Sequence, residues 1–184
     1  MSLSIRNEII QAEPANLSRK ISFRSTLLLL TMGAFATLVQ AGLRFPLHIP
    51  GHQGLIWMAI LVYARMNSSY RFSAVICSVG AASVSPFLGF HDPFAAFSFI
   101  LSGLALDLGF ITFAPKRLGM VALMGAVVFL AQPLLQSLIM STPNALFHTA
   151  NFGLPYLLLT HLAFGFTGSL IGLGLAKTRR INCN

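Results

Sequence analysis

Acidic residues are nearly missing from this 184-residue chain: four stand against twelve Lys and Arg. Charged residues of either sign make up 9% of it, where a soluble domain carries about 25%. Of the acids only Asp107 falls inside an apolar run, which excludes a pair of membrane carboxylates or a carboxylate proton relay. Cysteine is scarce too: Cys77 and Cys183 form no CxxC pair, so neither a disulfide framework nor a thiolate metal site is expected. There is no GxxxxGK[ST] loop and hence no ATPase of its own, and no HExxH zinc motif. Ser102-Gly103 and His161 resemble the Ser and His of an intramembrane serine protease, but Ile100 stands where the GxSG sequence needs glycine. No enzyme activity and no cofactor are expected.

What the chain does have is long apolar runs, with 55% hydrophobic residues. They cover Ser25–Leu43, Gly54 to about Met66, Phe72–Phe90, Pro93–Ala114, Leu118–Met140 and Leu154–Ala176. The expected fold is an all-α integral membrane protein, a compact bundle of six transmembrane helices. Residues 1–24 form a cytoplasmic N-terminal tail, 25–176 the membrane domain and 177–184 a cytoplasmic C-terminal tail. The second run is short: at 1.5 Å per residue it covers only about 20 Å of a hydrocarbon core about 30 Å thick. It either borrows flanking residues or starts below the surface. A signal peptide cleaved near Ala34-Phe35-Ala36 is the rival reading, and would leave five spans.

The basic residues orient these helices. With the N-terminus inside, the inner segments hold Arg6, Arg19, Lys20, Arg24, Arg65, Arg71, Lys116, Arg117, Lys177, Arg179 and Arg180, and the outer loops hold Arg44 alone. This split of 11 to 1 is what the positive-inside rule asks of a protein with both termini inside. The net charge of +8 therefore belongs to topology and to anionic lipid headgroups. No basic face interleaved with aromatics points to nucleic acid.

Once the inner face is fixed, the polar residues gather toward the other one. The first outer loop runs Arg44-Phe45-Pro46-Leu47-His48-Ile49-Pro50-Gly51-His52-Gln53; His91 and Asp92 lie in the second, and Asn144, His148 and Asn151 in the third. Gln40, Ser98 with Ser102, Gln132 with Gln136, and His161 sit at comparable depth on four helices. Unpaired polar groups are costly in hydrocarbon, so these residues face one another or a wet pocket. Arg44, His48, His52, Gln53 and Trp57 are the expected cap and upper wall, and Gln132, Gln136 and His161 the lining. Alternatively the amides and hydroxyls join helices, Arg44 snorkels and Trp57 belongs to the interfacial belt. His48 and His52, four apart, raise nickel, cobalt or zinc as a ligand, although Pro50-Gly51 between them opposes a regular helix. Asp107 needs a partner or a proton, and Arg65 or Arg71 is placed to pair with it. Pro133 should kink the fifth helix.

Small residues at Gly33, Thr37 and Ala41 form a strip for close helix approach. Size, six spans, this strip, the long first outer loop and the missing ATPase together resemble the substrate-binding S components of energy-coupling factor (ECF) transporters, over residues 24–178. The resemblance implies a bacterial cytoplasmic membrane protein that captures a small water-soluble solute, usually a vitamin or precursor, from outside. It implies docking through the strip onto a transmembrane coupling subunit driven by two ATPase subunits. The strip departs from that family's alanine-based AxxxA form. His48-Ile49-Pro50-Gly51 is similar to the Met-His-Ile-Pro start of the nickel and cobalt members, but is internal here, without a free amine. A nickel or cobalt uptake subunit and a stand-alone ion-coupled transporter are the alternatives.

Overall fold

The computed structural model describes residues 22–42, 51–89, 93–115, 117–140 and 154–182, with the side chains of 93, 136–140, 154 and 179–182 outside that description. Among the described residues there are six α-helices and no strand: α1 Phe23–Gly42, α2 Gly54–Asn67, α3 Ser73–Val84 with a 3-10 turn Ser85–Leu88 after it, α4 Pro93–Phe113, α5 Leu118–Met140 and α6 Leu154–Asn182. Four of them, α1, α4, α5 and α6, are long and apolar enough to cross a membrane. These are the features of a multi-pass membrane protein. Their outward faces carry large apolar side chains, among them Phe35, Leu108, Leu123, Val127 and Leu175.

The short helix α2 is the centre of the bundle. It packs against α1, α3, α5 and α6, while α3 also meets α1 and α4, and α5 meets α4 and α6. Trp57, Met58, Leu61 and Val62 of α2 are at most 1% exposed. At fourteen residues α2 spans about 21 Å. A helix enclosed by protein on most sides has its polar ends met by neighbouring chain rather than by lipid, so it is free of the bilayer's length requirement.

Glycine lets these helices touch. Lipid tails are as apolar as leucine, so helix association rests on close packing and small residues rather than on a hydrophobic drive. A Cβ at Gly33 of α1 would run into the Cys77 carbonyl of α3, and one at Gly80 of α3 into Leu30 of α1. Gly168 and Gly172 of α6 lie equally close on the Leu55 and Ala59 carbonyls of α2. The strip expected to dock a partner is thus used inside the bundle. Gly33 and Thr37 are buried, Thr37 Oγ1 donates to Gly33 O at 3.1 Å and to Ala81 O at 3.4 Å, and Ala41 is half-buried. The helix α5 runs through Pro133 without a break.

At one end of the bundle, a side chain of α4 caps α3. Asp107 is fully buried, and its Oδ2 accepts from Val75 N, in the first turn of α3, at 2.9 Å. Its Oδ1 lies 3.2 Å from Arg65 Nε of α2, which supplies the pairing that the sequence calls for. Arg65 also donates to Tyr70 O at 2.9 Å and lies 5.1 Å from the centre of the Phe110 ring. The ion pair therefore joins α2, α3 and α4 at what is called here the Asp107 end. The opposite end, where α2 begins, is the Gly51 end.

Candidate functional site

The Gly51 end is built around the turn that starts α2. Gly51 has a φ of +82°, a left-handed conformation open to glycine at little cost. It returns the chain sharply, so that Gly54 N donates to Gly51 O at 2.9 Å, Leu55 N to His52 O at 3.2 Å and Trp57 N to Gln53 O at 3.2 Å. The turn is held on two flanks. Gln40 of α1 donates its Nε2 to Gln53 O at 3.1 Å. On the other flank Gly51 lies on His161 of α6, where an added Cβ would stand 3.0 Å from Nδ1. Gly54 abuts the Phe129 ring of α5.

His161 is held in a set orientation. It is half-buried, its ring stacks on Phe129 at 5.1 Å between centres and 22° between planes, and Nδ1 is 2.8 Å from Leu157 O. A carbonyl oxygen can only accept, so Nδ1 carries the proton. In the uncharged ring Nε2 is then the bare nitrogen.

One turn deeper, three helices are joined by a polar cluster. Trp57 Nε1 of α2 donates to Ser102 Oγ of α4 at 3.0 Å. Gln132 Nε2 of α5 donates to Ser102 Oγ and to Ser98 O, each at 3.3 Å. Ser102 Oγ in turn lies 2.9 Å from both Ser98 O and Phe99 O. The hydroxyl thus gives its one proton to a carbonyl and accepts from two donors, which exhausts its capacity. This is the arrangement of groups that join helices. At 1% exposure, with its ring 4.7 Å from that of Phe99, Trp57 is a core residue rather than one of an interfacial belt or an open upper wall.

Of the expected site residues, the structure thus brings His52, Gln53 and His161 to the Gly51 end. Gln132 stands one turn from Phe129 on the same face of α5. His52 is half-buried and Gln53 is exposed, contributing its carbonyl rather than its side chain. Arg44 and His48 lie outside the described residues, as does the Gln136 side chain. Two contributors were not singled out as site residues. Phe129 lies three residues before Gln132, and that spacing was the available signal. Gln40 is 3% exposed, and its Oε1 has no hydrogen-bond partner. Among the described residues, no three His, Cys, Asp or Glu side chains are grouped to hold a metal ion. No family model, curated protein or solved structure matches this chain.

Proposed function

We propose that the chain is the substrate-capture membrane subunit of an ECF-type uptake transporter. It spans the bacterial cytoplasmic membrane six times with both termini inside, and takes up a small water-soluble solute, of the vitamin or vitamin-precursor kind, at the outer face. The observation that carries this reading is the opposition of the two ends. Arg65 and Arg71 stand at the Asp107 end, where the chain passes from α2 to α3, and His52, Gln53, Gln40 and His161 gather at the other. The positive-inside rule makes the first end cytoplasmic, and the polar groups then face the side from which a solute arrives. Energy would come from a transmembrane coupling subunit and two ATPase subunits, docked elsewhere than on the occupied Gly33–Thr37 strip.

Native mass spectrometry of the gently purified chain tests the proposal. A retained solute, or co-purifying coupling and ATPase subunits, is the expected result. His161→Ala should weaken retention of that solute at least tenfold while the melting midpoint stays within a few degrees, and unchanged retention would remove His161 from the site. Transport reconstituted from this chain alone would instead favour the stand-alone ion-coupled transporter.

A further inference from the structure

Of the polar side chains at and just below the Gly51 end, Gln132 and His161 spend all their N–H donors on the protein, and Gln40 one of its two. Gln132 Nε2 goes to Ser98 O and Ser102 Oγ. His161 Nδ1 goes to Leu157 O, and Gln40 Nε2 to Gln53 O. All these interactions fix which atom is which, because a backbone carbonyl demands a hydrogen opposite it. What remains on Gln132 and His161 is a lone-pair atom each, Oε1 and Nε2; Gln40 keeps its second N–H beside Oε1, which has no hydrogen-bond partner. Acceptors left over on half-buried side chains take a donor as their complement.

We infer that the Gly51 end recognises a solute through its N–H donors, as an amine, amidine or N–H heterocycle presents them, with Gln132 Oε1 and His161 Nε2 as the accepting pair on either side of Phe129. The inference rests on the capture reading and narrows it to a substrate class. Phe129 sets the spacing: His161 stacks on its ring, and Gln132 follows one helical turn on. A carboxylate or phosphate would bring acceptors to acceptors here and lose affinity, because a site whose polar groups go unpaired discriminates strongly against such a ligand.

The test uses the full chain in detergent, titrated calorimetrically with benzamidine and with benzoate. The two are flat solutes of one shape; the polar edge of the first carries only N–H donors, that of the second only acceptors. Benzamidine should bind at least about tenfold more tightly. His161→Phe keeps the stack on Phe129 and Gln132→Leu keeps the volume, and each should lower benzamidine affinity about tenfold. Benzoate binding equally well, no binding of benzamidine, or full benzamidine affinity in both variants overturns the inference. So does tighter, His161-dependent binding of nickel(II) or zinc(II), which would make the lone pairs metal ligands. Should either variant fail to fold, the ratio of the two probes on the unmodified chain still decides. The two readings also fail separately. A retained solute whose polar edge is carboxylate or phosphate ends the donor class and leaves capture standing; a chain with neither solute nor partner subunits ends capture itself.

Discussion

Asp107 shows how a single residue can be explained by its neighbours without a role in transport. A charge inside a membrane protein marks a function by default, yet this carboxylate has Val75 N on one oxygen and Arg65 on the other. Removing one partner strands a buried charge, whereas replacing both with apolar groups of similar volume is often neutral. Asp107→Ala should therefore destabilise the bundle by about 3–5 kcal/mol, and Arg65→Met with Asp107→Leu should recover much of that loss. Thermal melts of the purified variants check it, and a double variant no better than Asp107→Ala would show that the pair itself is needed. The residue scale is also where the sequence was least legible. Trp57 reads equally well as a belt or a site residue until the Ser102 hydroxyl is seen to be saturated by it and Gln132. That saturation depends on how α2, α4 and α5 face one another, which no spacing within one helix encodes.

At the scale of elements, the sequence was far more legible, because apolar length is a property of contiguous residues. The run Leu118–Met140 is α5 to the residue, and Pro93–Ala114 overshoots α4 by one. The third run ends differently: α3 stops at Val84 and a 3-10 turn with Pro86 in it follows, since proline is tolerated in a first turn but not in a helix interior. What apolarity does not tell is which small residues meet which helix, and so the sequence left open whether the Gly33–Thr37 strip packs inside the bundle or docks a partner. A graded comparison of glycines follows from the contacts. Gly33→Val and Gly172→Val push atoms into backbone carbonyls of α3 and α2, and each should cost about 1–3 kcal/mol or more, as overpacking does. Gly174→Ala meets nothing within 4 Å and should gain up to about 1 kcal/mol from helix propensity. Melting midpoints of the three variants measure this, and Gly33→Val melting with the unmodified chain would refute the close approach of α1 to α3.

At the scale of the whole molecule, the question is which end faces the cytoplasm. Each Lys or Arg near an anionic membrane surface contributes about 1 kcal/mol, so eleven against one is a bias that no single exposed charge reverses. The two ends of the bundle carry reporters suited to the question: Gln53 at the Gly51 end and Arg117 just before α5 are both exposed. In a background with Cys77→Ala and Cys183→Ser, a cysteine placed at Gln53 should react with a membrane-impermeant maleimide on intact cells, and one placed at Arg117 only after the membrane is opened. Cys77 is buried against the α1 contact, so alanine there removes reactivity at a small cost in packing, which the melt of the background reports. The reversed labelling pattern would put the Gly51 end in the cytoplasm and end the case for capture from outside. The expected pattern would make His52, Gln53 and His161 part of the outer face and leave the amine-or-acid preference of that face as the next measurement.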